Sequence, residues 1–347
     1  MSPAQARPFI VIGENIHCTR KIKRGGKLVK PMADGSEGVR FEDEFGNEGV
    51  LPVPESMQAA EAYKSGWIRH VAAAVELGMA GNDEQKALGV AYISWLAHRQ
   101  AKRGSHYLDV NVDEISPNID ARNAAMEWIV GILAKATHLP LSIDSSEVAT
   151  LEVGLKAVEK AGGAKPLLNS ASLERPEALE LAAKYKCPTI IMGASESGLP
   201  TGVDDRIENL TAMVEKAMAA GLPLENLFAD PLIYTISSTP TVGMDVLETV
   251  RQLRAKFPAI RIAGGHSNIS FGLPGRRLLN AVWLSMAMDA GVDSGLIDPL
   301  TCHPDDVARL EPDSDAVKLA RDGFLGKDEY FGEYIMAHRE GKLTLPF

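Results

Sequence analysis

Short apolar runs alternate along the chain with longer stretches in which apolar residues recur every three or four positions. The apolar runs predict strands at 9–16, 106–112, 139–145, 166–171, 188–194, 226–233, 260–268 and 294–299. The amphipathic stretches predict helices at 83–103, 121–138, 147–162, 175–186, 204–220, 241–257, 274–290 and 303–321. Because the strand runs are almost continuously apolar, they are typical of parallel strands that are buried on both faces.

This alternation predicts an α/β fold, a (β/α)8 TIM barrel with a long insertion after the first strand. An open, doubly wound sheet is the alternative, but no Gly-x-Gly-x-x-Gly turn follows the first strand. The chain has 347 residues, whereas a typical barrel needs about 250. We treat 1–347 as a single domain, in which 18–80 is an inserted charged loop with an extra helix and 322–347 is a C-terminal extension.

The insertion is the least regular part of the sequence. Residues 18–55 are glycine-rich and charged with little periodicity, and 56–80 predict a helix. Six basic residues fall within 20–30 and six acidic residues within 34–48. An insertion at this point would follow the C-terminal end of a strand, where barrel active sites are built. It could be a solvated surface loop with balancing charges, a lid, or a docking surface.

Composition excludes several classes of protein. Hydrophobic residues make up 45% and charged residues 24% of the chain, which excludes a mainly disordered protein. The net charge of -10 argues against binding to nucleic acid. The cysteines at 18, 187 and 302 fit neither a zinc site nor a disulfide framework. Since we find neither a signal peptide nor a membrane-spanning run, we expect a cytoplasmic protein without membrane contact.

Polar residues interrupt the predicted strands near their C-terminal ends. These residues are Glu14, Asn15, Asp109, Asn111, Asp144, Asn169, Asp230 and Asn268. Such ends meet on one face of a barrel, and buried carboxylates and amides there need hydrogen-bonding partners. A ring of acceptors with few bases suits a neutral ligand rich in N–H donors. A pterin is such a ligand, because one carboxylate can accept from both its N3–H and its 2-amino group.

Each of these residues, taken alone, also has a structural interpretation. Asp144 could cap the helix that follows it, and Glu14 could be an ion-pair partner within the barrel. The segment 109–113 (DVNVD) resembles a calcium loop but lacks the glycine at its sixth position. His17 and Cys18 have no second histidine or cysteine at metal-binding spacing, so we expect a local polar role and no metal site.

A family resemblance rests on six segments that occur in order. They are Gly13–Ile16 (GENI), 108–112 (LDVNV), 143–146 (IDSS), 168–170 (LNS), 230–233 (DPLI) and 265–270 (GHSNIS). Together they resemble the pterin-binding barrels of the methyltetrahydrofolate:corrinoid methyltransferases, a group that includes the folate-binding module of cobalamin-dependent methionine synthase. The resemblance covers roughly 83–310, with Gly13–Ile16 as an outlying match, and Ser-Asn-Ile-Ser is its most specific part. The insertion is far longer than is usual in this group.

The resemblance implies methyl transfer between N5 of tetrahydrofolate and the cobalt of a corrinoid. The amine that leaves is a poor leaving group, so N5 needs a hydrogen bond or a proton as its bond to the methyl group breaks. The resemblance assigns that hydrogen bond to Asn268 as the catalytic residue. It implies pterin binding by Asp144, Asn169 and Asp230, with Asp109, Asn111 and Glu14 in support. Arg276 would orient the substrate or a docked corrinoid protein, or it would be a solvated residue at a helix start.

One signature bears on the corrinoid partner. No Asp-x-His-x-x-Gly segment is present, so we expect the corrinoid to be carried on a separate protein. The same site serves both directions of transfer, so the direction is open. We expect a homodimer by default. The alternatives are a dihydropteroate synthase-like enzyme and a non-catalytic pterin-binding protein. The first resembles this chain less, because Gly265–Ser270 stands where that family has a Ser-Arg-Lys segment.

Overall fold

The structure is a computed structural model that describes residues 7–43, 45–195 and 198–343. The strands are β1 (Ile10–His17), β2 (Ile22–Lys23), β3 (Val29–Pro31), β4 (Glu37–Glu42), β5 (Glu48–Pro52), β6 (Trp67–Ile68), β7 (Tyr107–Asn111), β8 (Leu141–Asp144), β9 (Leu167–Ala171), β10 (Thr189–Met192), β11 (Leu227–Asp230), β12 (Arg261–Ile262) and β13 (Ser294–Ile297). The helices are α1 (Glu55–Gln58), α2 (Glu61–Lys64), α3 (His70–Ala80), α4 (Asp83–Lys102), α5 (Ile119–Ala136), α6 (Val148–Lys160), α7 (Glu177–Tyr185), α8 (Val203–Ala219), α9 (Val242–Lys256), α10 (Arg276–Ala290), α11 (Pro304–Val307), α12 (Asp315–Phe324) and α13 (Gly332–Arg339). No helix within these ranges is long and apolar enough to cross a membrane.

Eight parallel strands form one sheet in the order β12-β11-β10-β9-β8-β7-β1-β13. The two end strands also meet, because Leu296 N–H donates to the carbonyl of Gly264 at 2.9 Å and Gly265 bridges to Leu296. The sheet therefore closes on itself, and helices connect successive strands. All eight predicted strands are present, and the predicted (β/α)8 barrel is confirmed.

Contacts between Cα atoms group the residues into two compact units. The N-terminal unit is Gly13–Asn169, and the C-terminal unit is Met1–Ile12 with Ser170–Phe347. Each unit is described by itself below. The prediction of a single domain stays a prediction.

The core of the N-terminal unit follows from its apolar strands and a close helix crossing. Leu108, Val110 and Ile143 are fully buried on β7 and β8. Helices α3 and α4 approach closely at Gly89, where a Cβ atom would lie 2.5 Å from the carbonyl oxygen of Ala74. Helix α4 begins with a capping box formed by its N-cap asparagine and the glutamine three residues later, which satisfies two of the free N–H groups at its start.

The core of the C-terminal unit includes part of the predicted C-terminal extension. Trp283 on α10 is fully buried and packs against Phe324 of α12, with ring centroids 5.4 Å apart. Phe331 then packs edge-to-face on Phe324 at 5.2 Å. Burial of these large rings contributes about 1.5–3 kcal/mol each, so the extension is part of the fold.

The prediction of a charged loop at 18–55 is wrong. Strands β3, β4 and β5 form an antiparallel meander, in which Val39 and Phe41 are buried and Arg40 is exposed. The ring of Phe41 packs edge-to-face on Tyr92 of α4 at 5.4 Å and lies 6.2 Å from Trp95. Because α4 ends just before β7 begins, its C-terminal half lies beside the N-terminal end of that strand. The meander therefore packs on the outside of α4. A lid would instead cover the C-terminal ends of the strands, so this packing argues against a lid.

Three other predicted elements are shorter or interrupted. The single helix predicted at 56–80 is α1, α2, β6 and α3, with a turn at Gly66, whose φ is +89°. The strand predicted at 260–268 ends at Ile262, where two glycines lead into a 3₁₀ turn. The helix predicted at 303–321 is divided into α11 and α12, because Pro312 lacks the N–H that a continuous helix needs.

Candidate active site

Three of the predicted residues of the N-terminal unit lie side by side at the C-terminal ends of adjacent strands. The register of the sheet pairs Asn111 of β7 with Asp144 of β8, and Asp144 with Asn169 of β9. The Nδ2 atom of Asn111 donates to Oδ2 of Asp144 at 3.0 Å. This row combines amides with a carboxylate that is only partly buried, so it presents both donors and acceptors.

Asp109 lies beneath this row, two residues before the end of β7. Its carboxylate is almost completely buried and accepts a hydrogen bond from Nδ2 of Asn169 at 3.1 Å. Burial, reinforced by the negative charge of Asp144, raises the pKa of Asp109 to about 7. The prediction that Asp109 belongs to this polar cluster is consistent with these contacts.

His17 is a member of the cluster that we did not predict as a site residue. Its Nε2 atom lies 3.6 Å from Oδ2 of Asp144, and its Nδ1 atom lies 2.7 Å from Oγ1 of Thr19. Burial alone lowers the pKa of His17, but the close contact with Asp144 and the charges of Asp144 and Asp109 outweigh it and raise that pKa. The sequence signal was its position at the end of β1, three residues after Glu14.

Glu14 is held by an ion pair. Its Oε1 atom lies 2.7 Å from Nη2 of Arg20, and Nε of Arg20 donates to the backbone carbonyl of Glu14 at 3.1 Å. The structure therefore contains the ion pair that the structural interpretation of Glu14 predicts. A role of its carboxylate in binding a pterin stays a prediction.

The loop after β8 shows that Asp144 does not cap α6. Helix α6 begins after Glu147 and has no side-chain cap. Instead, the carboxylate of Asp113 accepts from Ser145 Oγ at 2.6 Å and from Ser146 N–H at 2.7 Å. Asp113 thus fixes this loop and leaves the carboxylate of Asp144 to face Asn111 and His17. Among the described residues, no group of three or more His, Cys, Asp or Glu side chains is arranged to hold a metal ion.

In the C-terminal unit, Asp230 ends β11 and forms a tight turn. Its Oδ1 atom accepts from Leu232 N–H at 2.8 Å. Burial raises the pKa of Asp230 to about 6, against the opposing effects of this hydrogen bond and of the charge on Arg206. The carboxylate approaches the chain at Gly264, where a Cβ atom would lie 3.3 Å from Oδ1.

The turn after Asp230 is strained and is held by a buried arginine that we did not predict. Leu232 has a φ of +63°, a left-handed conformation that is unfavourable for a branched side chain. Arg206 on α8 is 1% exposed, and its Nε atom donates to the carbonyl of Pro231 at 2.9 Å. Its Nη1 atom donates to the carbonyl of Gly202 at 3.0 Å. Arg206 therefore positions Asp230 through the backbone that follows it.

Asn268 lies on the exposed surface of the 3₁₀ turn His266–Ser270. Its side chain extends over Gly265, where a Cβ atom would lie 2.8 Å from Nδ2 of Asn268. Within the described part of the chain, no hydrogen bond engages its carboxamide. Its donor and acceptor atoms are therefore available to a ligand.

Arg276 braces the turn that carries Asn268. Its Nε atom donates to Ser270 Oγ at 3.1 Å, and its Nη2 atom donates to the carbonyl of Ser267 at 2.7 Å. Ser270 Oγ in turn donates to Oδ1 of Asn280 at 2.5 Å. These bonds favour a positioning role for Arg276, and direct contact with a substrate stays a prediction.

Comparisons with known proteins relate the chain to a family and to individual relatives. The profile of the pterin binding enzyme family matches residues 82–298. The chain is 30% identical over 258 residues to the methylcorrinoid:tetrahydrofolate methyltransferase of Eubacterium limosum, covering 73% of this chain and 89% of that protein. It is 29% identical over 234 residues to the methionine synthase of Mycobacterium leprae, covering 63% of this chain but only 18% of that longer protein.

Solved structures show the same fold. A dihydropteroate synthase of Xanthomonas albilineans superposes with a TM-score of 0.52 at 18% identity, over 65% of this chain and 86% of that one. A dihydropteroate synthase of Coxiella burnetii gives a TM-score of 0.51 at 15% identity, over 66% and 85% of the two chains. At this identity the likeness concerns the fold alone. Since the family profile spans more than half of the chain, the chain belongs to the family of pterin binding enzymes.

Proposed function

We propose that the protein transfers a methyl group between N5 of tetrahydrofolate and the cobalt of a corrinoid carried on a separate protein. The observation that carries the proposal is the carboxamide of Asn268, which is exposed, held on a braced turn and free of other hydrogen bonds among the described residues. An amide is a weak acid, so Asn268 would donate a hydrogen bond to N5 while the proton itself comes from solvent. The similarity to the methylcorrinoid:tetrahydrofolate methyltransferase supports this assignment.

The carboxylates would bind the pterin. Ionised Asp230 would accept from the N–H groups of the pyrimidine edge, which a protonated carboxyl group would do less well. We propose that Asp144 and Asn169 also contact the pterin, with Asn111 and Asp109 as their hydrogen-bonded support. Precise positioning of this kind lowers the barrier because the methyl group is held in line for transfer.

The partner assignments follow from the same proposal. The expected partners are a corrinoid protein and a folate, and the expected assembly is a homodimer in the cytoplasm. The direction of transfer is open. The absence of a lysine or arginine in Gly265–Ser270 argues against a synthase that must stabilise a leaving pyrophosphate.

An anaerobic absorbance assay tests the proposal. The protein is mixed with methyltetrahydrofolate and free Co(I) cobalamin, and formation of methylcobalamin is followed by its spectrum. Protein-dependent conversion is expected. If the protein binds folate but methylates neither free cobalamin nor a corrinoid protein, the result would favour the non-catalytic pterin-binding alternative.

Variants test the role of Asn268 directly. Removal of one hydrogen-bond donor to a developing charge typically costs about 10²–10³ in kcat, so Asn268→Ala should lose most of the rate with a smaller loss of folate affinity. Asn226→Ala is the matched control, because Asn226 lies in the turn before β11 begins. Equal turnover of the two variants would contradict the role of Asn268.

A further inference from the structure

The insertion carries a small two-stranded ribbon, β2 with β6, in the N-terminal unit. The antiparallel register pairs Ile22 with Ile68 and Lys23 with Trp67. Ile68 is buried, so the register places Lys23 and Trp67 together on the opposite face. Trp67 is 43% exposed, so part of its indole ring is accessible to a ligand.

Four lysines lie in β2 or close to it along the chain. Lys21, Lys23, Lys27 and Lys30 form no ion pair within the described part of the chain, and the first three are exposed. The neighbouring arginines, in contrast, form ion pairs. Arg20 pairs with Glu14, and Nε of Arg24 lies 2.6 Å from Oε2 of Glu37. In a chain with a net charge of -10, this is a local excess of positive charge.

The ribbon is tied to the end of β1. Arg20 N–H donates to the carbonyl of His17 at 2.9 Å, which closes a turn. A turn of this kind brings its first and last Cα atoms within about 7 Å, so the Cα of Lys21 lies within about 11 Å of that of His17. Arg69, directly after β6, donates to the carbonyl of Cys18 at 3.3 Å and also to the carbonyl of Glu114.

His17 in turn contacts Asp144, as described above. A ligand held at Asp144 therefore has positively charged side chains within reach of its distal end. The exposed indole of Trp67 offers a flat apolar face, and the ammonium groups of Lys21 and Lys23 offer partners for carboxylates. This combination matches a molecule with an aromatic ring followed by several carboxylates.

We propose that this ribbon binds the p-aminobenzoylglutamate end of the folate and favours folates with a poly-γ-glutamyl tail. The proposal rests on the proposed function, because it extends the same substrate site. Trp67 contacts the aromatic ring, and Lys21 and Lys23 contact the glutamyl carboxylates. Each γ-linked glutamate adds one carboxylate, so a longer tail offers these lysines more partners.

Binding measurements with three ligands test the proposal. Dissociation constants are measured at low salt for 6-methyltetrahydropterin, tetrahydrofolate monoglutamate and tetrahydrofolate pentaglutamate. The native protein should bind the pentaglutamate about tenfold more tightly than the monoglutamate, as expected for several exposed ion pairs of modest strength. The preference should shrink at 0.5 M salt, because salt screens exposed charges.

Substitutions separate the two parts of the ribbon. The double variant K21E/K23E should lose the preference for pentaglutamate and keep its affinity for 6-methyltetrahydropterin. Trp67→Ala should weaken both folates about three- to tenfold and leave the pterin unaffected. The control K102E/K165E changes the net charge equally, at exposed lysines that precede the N-terminal ends of β7 and β9.

Each contrary result has a distinct meaning. Equal affinity of the native protein for mono- and pentaglutamate, or equal behaviour of K21E/K23E and K102E/K165E, would overturn the ribbon proposal. If K21E/K23E keeps both folate affinities but transfers methyl groups to a corrinoid protein more slowly, the ribbon proposal is also overturned. That result would identify the ribbon as a protein-docking surface. Failure of all three ligands to bind would overturn the proposed function itself.

Discussion

The buried carboxylate of Asp109 should make the stability of the protein depend on pH. Its pKa is about 7 in the folded protein, against 3.8 for the ordinary group. The folded state therefore binds more protons than the unfolded state between these two values, so stability falls as pH rises from about 4 to about 7. At 1.36 kcal/mol per pKa unit, the ionised carboxylate costs up to about 4 kcal/mol above pH 7.

Asp109→Asn removes this charge and keeps the shape. The Oδ1 atom of the new amide can still accept the hydrogen bond from Asn169. We expect the variant to be more stable than the native protein by up to about 4 kcal/mol at pH 8, by somewhat more than a third as much at pH 5, and by little near pH 4. Urea unfolding followed by circular dichroism between pH 4 and 8 measures these differences.

A surface substitution gives the control for this experiment. Asp289→Asn removes an exposed carboxylate of α10 and should change stability by less than about 0.5 kcal/mol at every pH. A gain for Asp109→Asn that is the same at pH 5 and pH 8 would refute the reasoning from burial. A loss of stability at pH 8 would show that the carboxylate is stabilised by its surroundings.

Further predictions concern the strained turn and the meander. Folate affinity should fall about tenfold per pH unit below pH 6, because Asp230 becomes protonated there, and Asp230→Asn should flatten this dependence in calorimetric titrations between pH 5 and 8. Arg206→Met leaves backbone carbonyls without donors and should cost about 2–3 kcal/mol in urea unfolding; full stability with unchanged folate affinity would contradict its positioning role. Phe41→Ala should lower stability by about 3–5 kcal/mol without changing the transfer rate of the folded fraction, and a selective loss of transfer would instead assign function to the meander.

The barrel could be predicted because its signals are local and repeated. The strands that contain Val110 and Ile143 are largely buried on both faces, and such strands alternate with amphipathic helices throughout the chain. The polar residues at strand ends were predictable for the same reason. Asp109 and Asp144 stand out against apolar neighbours, so the sequence locates them even though it gives no partners.

The strands within the insertion were missed because their signals are short. The first turn of the meander contains Asp34-Gly35, a pair that favours hairpins, and Gly35 has a φ of +84°. The alternation of buried Val39 and Phe41 with exposed Arg40 covers only a few residues among many charges. Its hydrophobic partner, Tyr92, lies on a helix some fifty residues further along the chain, and no local pattern connects the two.

Side-chain contacts between residues that are distant in sequence could not be predicted either. Arg206 lies on a helix about twenty-five residues before the turn that it supports, and its burial has no signature in an amphipathic pattern. His17 was assigned a local polar role because its contact with Asp144 depends on how β1, β7 and β8 are arranged. Arg276 was predicted as a possible substrate ligand, whereas its bonds within the turn depend on the register of α10 against it.

Several features at the strand ends weaken the fold, and together they argue for selection of a site. The carboxylates of Asp109 and Asp230 are buried with raised pKa values, and Leu232 holds an unfavourable backbone conformation. A protein selected for stability alone would replace each of them at small structural cost. Arg206 offsets part of this cost by binding the strained turn, which indicates that the turn is maintained and not tolerated by chance. The strain maintains the position of Asp230 just before this turn, with its carboxylate close against Gly264, and we propose that this carboxylate serves as an acceptor for the pterin edge.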